Sequence, residues 1–408
     1  MNPLLDGVAP PPAAAMGGPV TVDLTVGTPW YGPPRAFRDA MRELVAPGDD
    51  LRRHDVYAPP RGADELRTAI AGLYLAEHEL ALDADRQILV THGATGAMWT
   101  AVLAGSGAGQ EILLPDPCYT LYEPIVTVLG RRPLRVPGDP AAGWLLDPAD
   151  VARAITADTA MLLLNSPVNP TGSMYGPARL RALAEVTAAA GALLVHDEVL
   201  DCFARERPHV PAIALADQGV LVVNSLSKRL GVTGWRLGWL AGDARAVSAA
   251  ARVHPLTTIA VDHAAQLAGA AALTDPGHPA MIRERAAAIA GVGREFLRAL
   301  SRLPGWPDDL DLPAGGVYAF PDVTGLFPGV TGLFPGVTGL FPGVTGLGMG
   351  LPPGPVDVAV ARALRERCGV GVLHGSLYGS GGEGHIRISL AAPPDQLREA
   401  IRRLEKPW

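Results

Sequence analysis

Leu221-Val222-Val223-Asn224-Ser225-Leu226-Ser227-Lys228, followed by Gly234-Trp235-Arg236-Leu237-Gly238, is the stretch on which the reading of this chain turns. Its opening apolar run is a short strand that ends in polar residues. Other short apolar runs end the same way. Ile88-Leu89-Val90 leads into Gly93-Ala94-Thr95, and Ile112-Leu113-Leu114 into Pro115-Asp116-Pro117-Cys118-Tyr119. Met161 to Leu164 leads into Asn165-Ser166-Pro167-Val168-Asn169-Pro170-Thr171-Gly172, and Leu193 to His196 into Asp197-Glu198. Helical patterns alternate with these runs from about 87 to 243, as over 177–190. The pattern predicts an α/β fold with a mostly parallel sheet and crossover helices. Ligands of such sheets sit beyond the carboxyl ends of the strands. Every polar cluster just named falls at such an end.

Lys228 is one of two lysines, with Lys406; of 34 basic residues, 34 − 2 leaves 32 arginines. Arginine supplies charge but cannot lose its proton and form a Schiff base. A chance surface lysine is the bland alternative, and the neighbours weigh against it. Ser225 and Ser227 precede it, and Arg236 follows between glycines that permit close backbone approach. Such a set can surround a phosphate beside an imine-forming amine.

The 408 residues have room for about two domains, and 48% of them are apolar. A charge of −7, spread without blocks, carries no nucleic-acid footprint and no membrane-facing basic patch. Cys118, Cys202 and Cys368 have no motif spacing and fit a reducing compartment. No signal peptide and no membrane span are expected, so the location read from the sequence is cytoplasmic.

Residues 1–34 read as an N-terminal arm, Pro- and Ala-rich to about Pro19, with a short strand at Val22–Val26. Trp30 and Tyr31 follow Gly27; they are either loop packing or an aromatic lid over a pocket. A helix starts at Ala63 with Leu66, Ile70 and Leu73 on one face. Residues 35–275 are expected to form the large domain bearing the strand ends. Residues 276–408 form a smaller α+β domain with helices over 279–300, 356–368 and 394–404 and strands at 370–373 and 386–390. Within it Val-Thr-Gly-Leu-Phe-Pro-Gly occurs three times from Val323 to Gly343, with a partial copy to Leu347. A proline and two glycines per copy exclude a helix. The loop 323–347 reads as a surface expansion, tolerable because loop closure costs only about 0.6 kcal/mol more per doubling of length.

An aldehyde cofactor with a phosphate and a protonated ring nitrogen would find its needs met at these strand ends. Lys228 is the amine, and Asp197 the carboxylate for the ring nitrogen. Gly93-Ala94-Thr95, Ser225, Ser227 and Arg236 can hold the phosphate. Tyr119 can stack on the ring, Asn169 can donate to its hydroxyl, and Arg387 can fork a carboxylate. Together these motifs, over about 22–404, resemble the class I/II aminotransferases among fold-type-I pyridoxal-phosphate (PLP) enzymes. The resemblance rests on Asn169-Pro170-Thr171-Gly172, Asp197-Glu198, the Ser-x-Ser-Lys run, Gly234 to Gly238 and Arg387. It implies that Lys228 forms the imine and then moves the proton, with no metal. It implies that Gly27, by its backbone, and Arg387 take the substrate carboxylate. It also implies a homodimer in which Tyr57 reaches the phosphate of the partner's cofactor, acting on an amino acid and a 2-oxo acid.

Two positions depart from the family. Leu200 stands where a tyrosine usually donates to the ring oxygen, which predicts an imine that stays protonated to higher pH. His374 stands where proline is typical; it either reads the substrate or is a loop histidine. Trp30, Tyr31 and Tyr318 suggest an aromatic-lined pocket for an apolar, aromatic or guanidinium side chain. A PLP lyase or cyclase sharing the same residues is the alternative function. A ligand sensor fused to a DNA-binding module is disfavoured, because no basic helix-turn-helix precedes residue 20.

Overall fold

In the computed structural model, residues 20–46, 53–216, 218–326 and 355–406 are described. The strands are β1 (Val22–Asp23), β2 (Ile88–His92), β3 (Glu111–Asp116), β4 (Arg132–Pro137), β5 (Thr159–Asn165), β6 (Leu193–Asp197), β7 (Val220–Ser225), β8 (Leu237–Gly242), β9 (Tyr318–Ala319), β10 (Val370–Gly371), β11 (Leu373–His374) and β12 (Ile386–Ser389). Seven of them form the main sheet in the order β2-β8-β7-β6-β5-β3-β4. Its pairs are parallel except those made by β8, which runs against both β2 and β7. The expected mostly parallel sheet is therefore present, and β4 and β8 are strands that the apolar-run pattern did not bring out.

Buried on both faces, β3, β5 and β7 read as apolar runs rather than alternations. Side-chain alternation sends Met161 and Leu163 to one face and Leu162 and Leu164 to the other. The first pair packs against the helix Gly93–Gly105 through Ala97, Met98 and Ala101; the second packs against Pro177–Ala189 through Leu180 and Leu183. Each Leu or Val so buried contributes about 2 kcal/mol relative to exposure. A third cluster covers β2 and β8 with the helices Asp64–His78 and His263–Leu273.

A smaller lobe holds the three-stranded sheet β11-β12-β9, the pair β1-β10 and the helices His278–Leu300, Val356–Cys368 and Pro394–Leu404. Val22 and Leu24 are buried in this lobe's core, because β1 lies parallel to β10. The expected strand over 370–373 is two short pieces, β10 and β11. The repeat begins inside the core at Val323, and residues 327–347 lie outside the described residues. Cys118, Cys202 and Cys368 are all unpaired. Among the described residues no helix is long and apolar enough to cross a membrane.

Candidate active site

The sheet's register explains why distant motifs meet. Asn165 pairs with Asp197 at the ends of β5 and β6, and Ser225 pairs with Gly238 at the end of β7. Because β8 runs antiparallel, its first residues, not its last, lie at this edge. That brings Arg236 beside Ser225 and beside the start of the Gly93–Gly105 helix. Arg236 adopts a left-handed backbone with φ 53° and ψ 48°, a strained conformation for a non-glycine residue. Gly93 has φ +69°, and a Cβ there would have to displace the Arg236 guanidinium. Gly238 likewise lies against the Gly93 and Ala94 backbone. Gly238→Ala is expected to cost about 2–3 kcal/mol by forcing these backbones apart, read as a lower urea midpoint together with weakened cofactor affinity.

A cavity of about 230 Å³ opens over this edge. Of the residues expected from sequence, Ala94, Thr95, Tyr119, Asn169, Asp197, Ser225, Ser227, Lys228, Arg236 and Tyr318 line it. Lys228 Nζ donates to the Gly27 carbonyl at 2.8 Å. Burial lowers the pKa of this amine; Tyr318 opposes the shift, and Arg387 and Arg236 add to it. Asp197 is pushed up to about 6 by burial, although the Val199 N–H and the Tyr122 hydroxyl donate to it at 3.1 and 2.8 Å. Burial pushes Tyr119 up to about 12.

Arg387 lies on β12 beside the cavity. It donates to Asn169 Oδ1 at 3.0 Å and to the Thr25 carbonyl, and its guanidinium lies 4.1 Å from the Tyr318 ring centre. Its Nε is buried and unpartnered. Trp30 packs partly buried against the cluster of Leu200, Phe203 and Tyr318 and lies outside the cavity lining. Tyr57 is 81% exposed and also outside the lining. His374 points elsewhere: Leu373 is the residue opposite Arg387, so the next residue faces the other way. His374 Nδ1 stands 3.7 Å from Asp357 Oδ2 on the helix behind, which corrects its expected place beside the substrate.

Sequence reading missed Tyr122, one helical turn beyond Tyr119 and fully buried against Asp197. It also missed Arg229. That side chain points away from the cavity and bonds Glu77 at 2.6 and 2.9 Å and Asp201 at 3.0 Å, fixing the turn that carries Lys228. Glu198 anchors the β6 end from behind through His196 Nδ1 at 2.8 Å and the Ala212 N–H at 2.8 Å. Against the cost of burial, His209 and His196 bring Glu198 down to about 2.

A strand-end lysine and aspartate, with an anion cup on a mostly parallel sheet, define a PLP enzyme of fold type I. The sequence matches the family Aminotransferase class I and II over residues 19–404. It is 31% identical over 390 residues to the probable aspartate/prephenate aminotransferase of Thermus aquaticus, covering 94% of this chain and 90% of that protein. The structure resembles aspartate aminotransferase from Thermus thermophilus with maleate at a TM-score of 0.85 and 27% identity, covering 99% and 98% of the two chains. It resembles the aromatic aminotransferase of Pyrococcus horikoshii at 0.79 and 25% identity, covering 94% of each chain. The chain belongs to the class I and II aminotransferases; it is a PLP-dependent enzyme that moves an amino group between an amino acid and a 2-oxo acid.

The residues present fit that cofactor. The helix Gly93–Gly105 begins with no side-chain cap, leaving its first N–H groups for an anion. Burial raises Asp197, and a protonated ring nitrogen beside it would supply the positive charge that favours its ionised form.

Proposed function

We propose that Lys228 is the residue that links to PLP and carries the proton during amino transfer. When bound, PLP supplies an aldehyde carbon and a protonated ring that draws electrons from the substrate's α-carbon. In this reading Asp197 holds the ring nitrogen's proton and Tyr122 holds Asp197. Tyr119 covers one ring face, and Asn169 donates to the ring oxygen. Ser225, Ser227, Arg236 and the N–H groups at Gly93, Ala94 and Thr95 bind the phosphate. Arg387 and the Gly27 backbone take the substrate carboxylate. The observation that carries the reading is the convergence of Lys228, Asp197 and Arg236 on one cavity.

The side-chain end of the substrate is an apolar or aromatic group. Support comes from the cluster of Leu200, Phe203 and Tyr318 with Trp30 and Tyr31 packed against it. Among the described residues, the cations lining the cavity are Lys228 and Arg236, both already assigned. Adding L-phenylalanine, L-leucine or L-aspartate to the PLP-loaded enzyme and following the visible band tests this. Bleaching by phenylalanine or leucine ahead of aspartate is expected; the reverse order rejects the apolar assignment. Ammonia release without the pyridoxamine form would point to a lyase instead.

The working unit is a homodimer. Tyr57 at 81% exposure and the exposed Val56, Leu256 and Ile259 are large apolar side chains that a second copy would cover. Three unpaired cysteines favour a reducing compartment, the cytoplasm.

Leu200 lines the cavity and offers the ring oxygen no donor. The visible band of the loaded enzyme is therefore expected to change at higher pH than that of Leu200→Tyr, by about one unit for one hydrogen bond. Equal midpoints would reject this account of position 200.

A further inference from the structure

Tyr318 has a hydroxyl that nothing explains. The residue is 5% exposed and lines the cavity, and its hydroxyl has no hydrogen-bond partner among the described residues. β9 places it opposite Ser389, two residues along β12 from Arg387, so ring and guanidinium stack on one face of the sheet. The stack fixes the ring and leaves the hydroxyl at its far end. That end meets Gly27: a Cβ on Gly27 would collide with the Tyr318 hydroxyl. Gly27 is also the residue whose carbonyl holds Lys228 Nζ. The free phenol and the amine thus converge on one glycine.

A lysine that takes a proton from carbon spends part of each cycle as an ammonium with three donors to satisfy. Gly27 O is one acceptor. The charged and titratable side chains around the amine are Tyr318 from β9, Arg387 from β12 and Arg236 at the start of β8, with Tyr119 and Asp197 also on the cavity. Arg229, on the same turn as Lys228, faces away into its pair of carboxylates. Both facing arginines disfavour the ammonium, as burial does, and Tyr318 favours it. Leu200, also on the cavity, supplies no oxygen.

We propose that Tyr318 is a catalytic residue whose hydroxyl oxygen accepts a hydrogen bond from the Lys228 ammonium, holding the proton on Nζ between its removal from the substrate's α-carbon and its return to the acceptor carbon. The proposal rests on Lys228 being the proton carrier. Its test does not need the natural substrate. The full chain, made with 13Cε-labelled lysine and loaded with pyridoxamine phosphate, leaves Nζ free and shows only two lysine signals, from Lys228 and Lys406. Lys406→Ala assigns them. Tyr318→Phe is expected to lower the Lys228 midpoint by about one unit, the worth of one hydrogen bond to a charged group, while Lys406 stays put. Gly27→Ala, which displaces the hydroxyl without removing it, is expected to shift Lys228 the same way. A Lys228 midpoint unchanged in Tyr318→Phe overturns the proposal, and that variant decides if the two differ. Failure of the wild-type protein to form a visible band with PLP is a separate result; it would remove Lys228 from the chemistry and leave the phenol's effect on the amine measurable.

Discussion

Lys228→Ala is expected to bind PLP without the visible band of a lysine-linked cofactor and to lose at least about four orders of magnitude in amino transfer. Two functions disappear at once, the linkage and the proton carrier. No neighbouring lysine can step in, because Lys406 is the sole remaining lysine and lies beyond the last helix. Arg229 next door is locked into Glu77 and Asp201 and cannot surrender a proton. Lys406→Ala is the matching control and should keep both band and activity. Spectra and single-turnover rates of the two variants check the claim; a persisting band in Lys228→Ala would dismantle the assignment of the site.

Asp197→Asn is expected to keep the band and lose about a thousandfold in rate, the scale of removing one preorganised charge from a site. An amide donates where a carboxylate accepts, so it cannot hold a proton on the ring nitrogen. The amide oxygen can still accept from the Tyr122 hydroxyl, at the loss of the Val199 N–H bond to the other oxygen. A rate within tenfold of wild type would show that the carboxylate is not the ring's partner. The same group sets a pH dependence. Burial holds Asp197 at about 6, and a bound cationic ring would lower it. The free protein therefore takes up a proton below that value while the loaded protein stays ionised. Cofactor affinity should be full above about pH 6 and fall as the pH drops through it. Equilibrium dialysis of PLP between pH 5 and 8 reads this directly.

Strand ends were legible because burial and chemistry change abruptly there. An apolar run giving way to His196-Asp197 or to Asn224-Ser225 marks both a buried strand and a polar edge. Lys228 stood out by rarity and Arg236 by its glycines. The direction of β8 was hidden, since Leu237-Gly238 served as a motif and Gly-rich strands carry weak apolar signal. Yet the antiparallel course of β8 is what delivers Arg236 to the cavity edge beside Gly93. Tyr122 was hidden for a different reason. Its role depends on one helical turn after Tyr119, and a tyrosine beside prolines carries no pattern of its own. His374 misled because strand alternation, not proximity in sequence to Arg387's lobe, decides where it points. The meeting of Gly27 with Tyr318 joins residues 318 − 27 = 291 positions apart, and no local pattern encodes such a contact.

The short run from β1 to Tyr31 carries a mechanical consequence. Val22 and Asp23 are bonded into the smaller lobe, Gly27 O grips Lys228 Nζ, and the Tyr31 hydroxyl donates to the Lys228 carbonyl at 2.8 Å. Leu24 is bonded to the same lobe through Gly371 and Ser389, so two residues, Thr25 and Val26, lie between it and Gly27, a tether of about 10 Å at full stretch. Rotation of the smaller lobe beyond the slack in that tether drags Gly27 off the amine. Opening of the cleft and release of the lysine are then a single motion, and the tether's length sets how far the cleft can gape before the amine is set free.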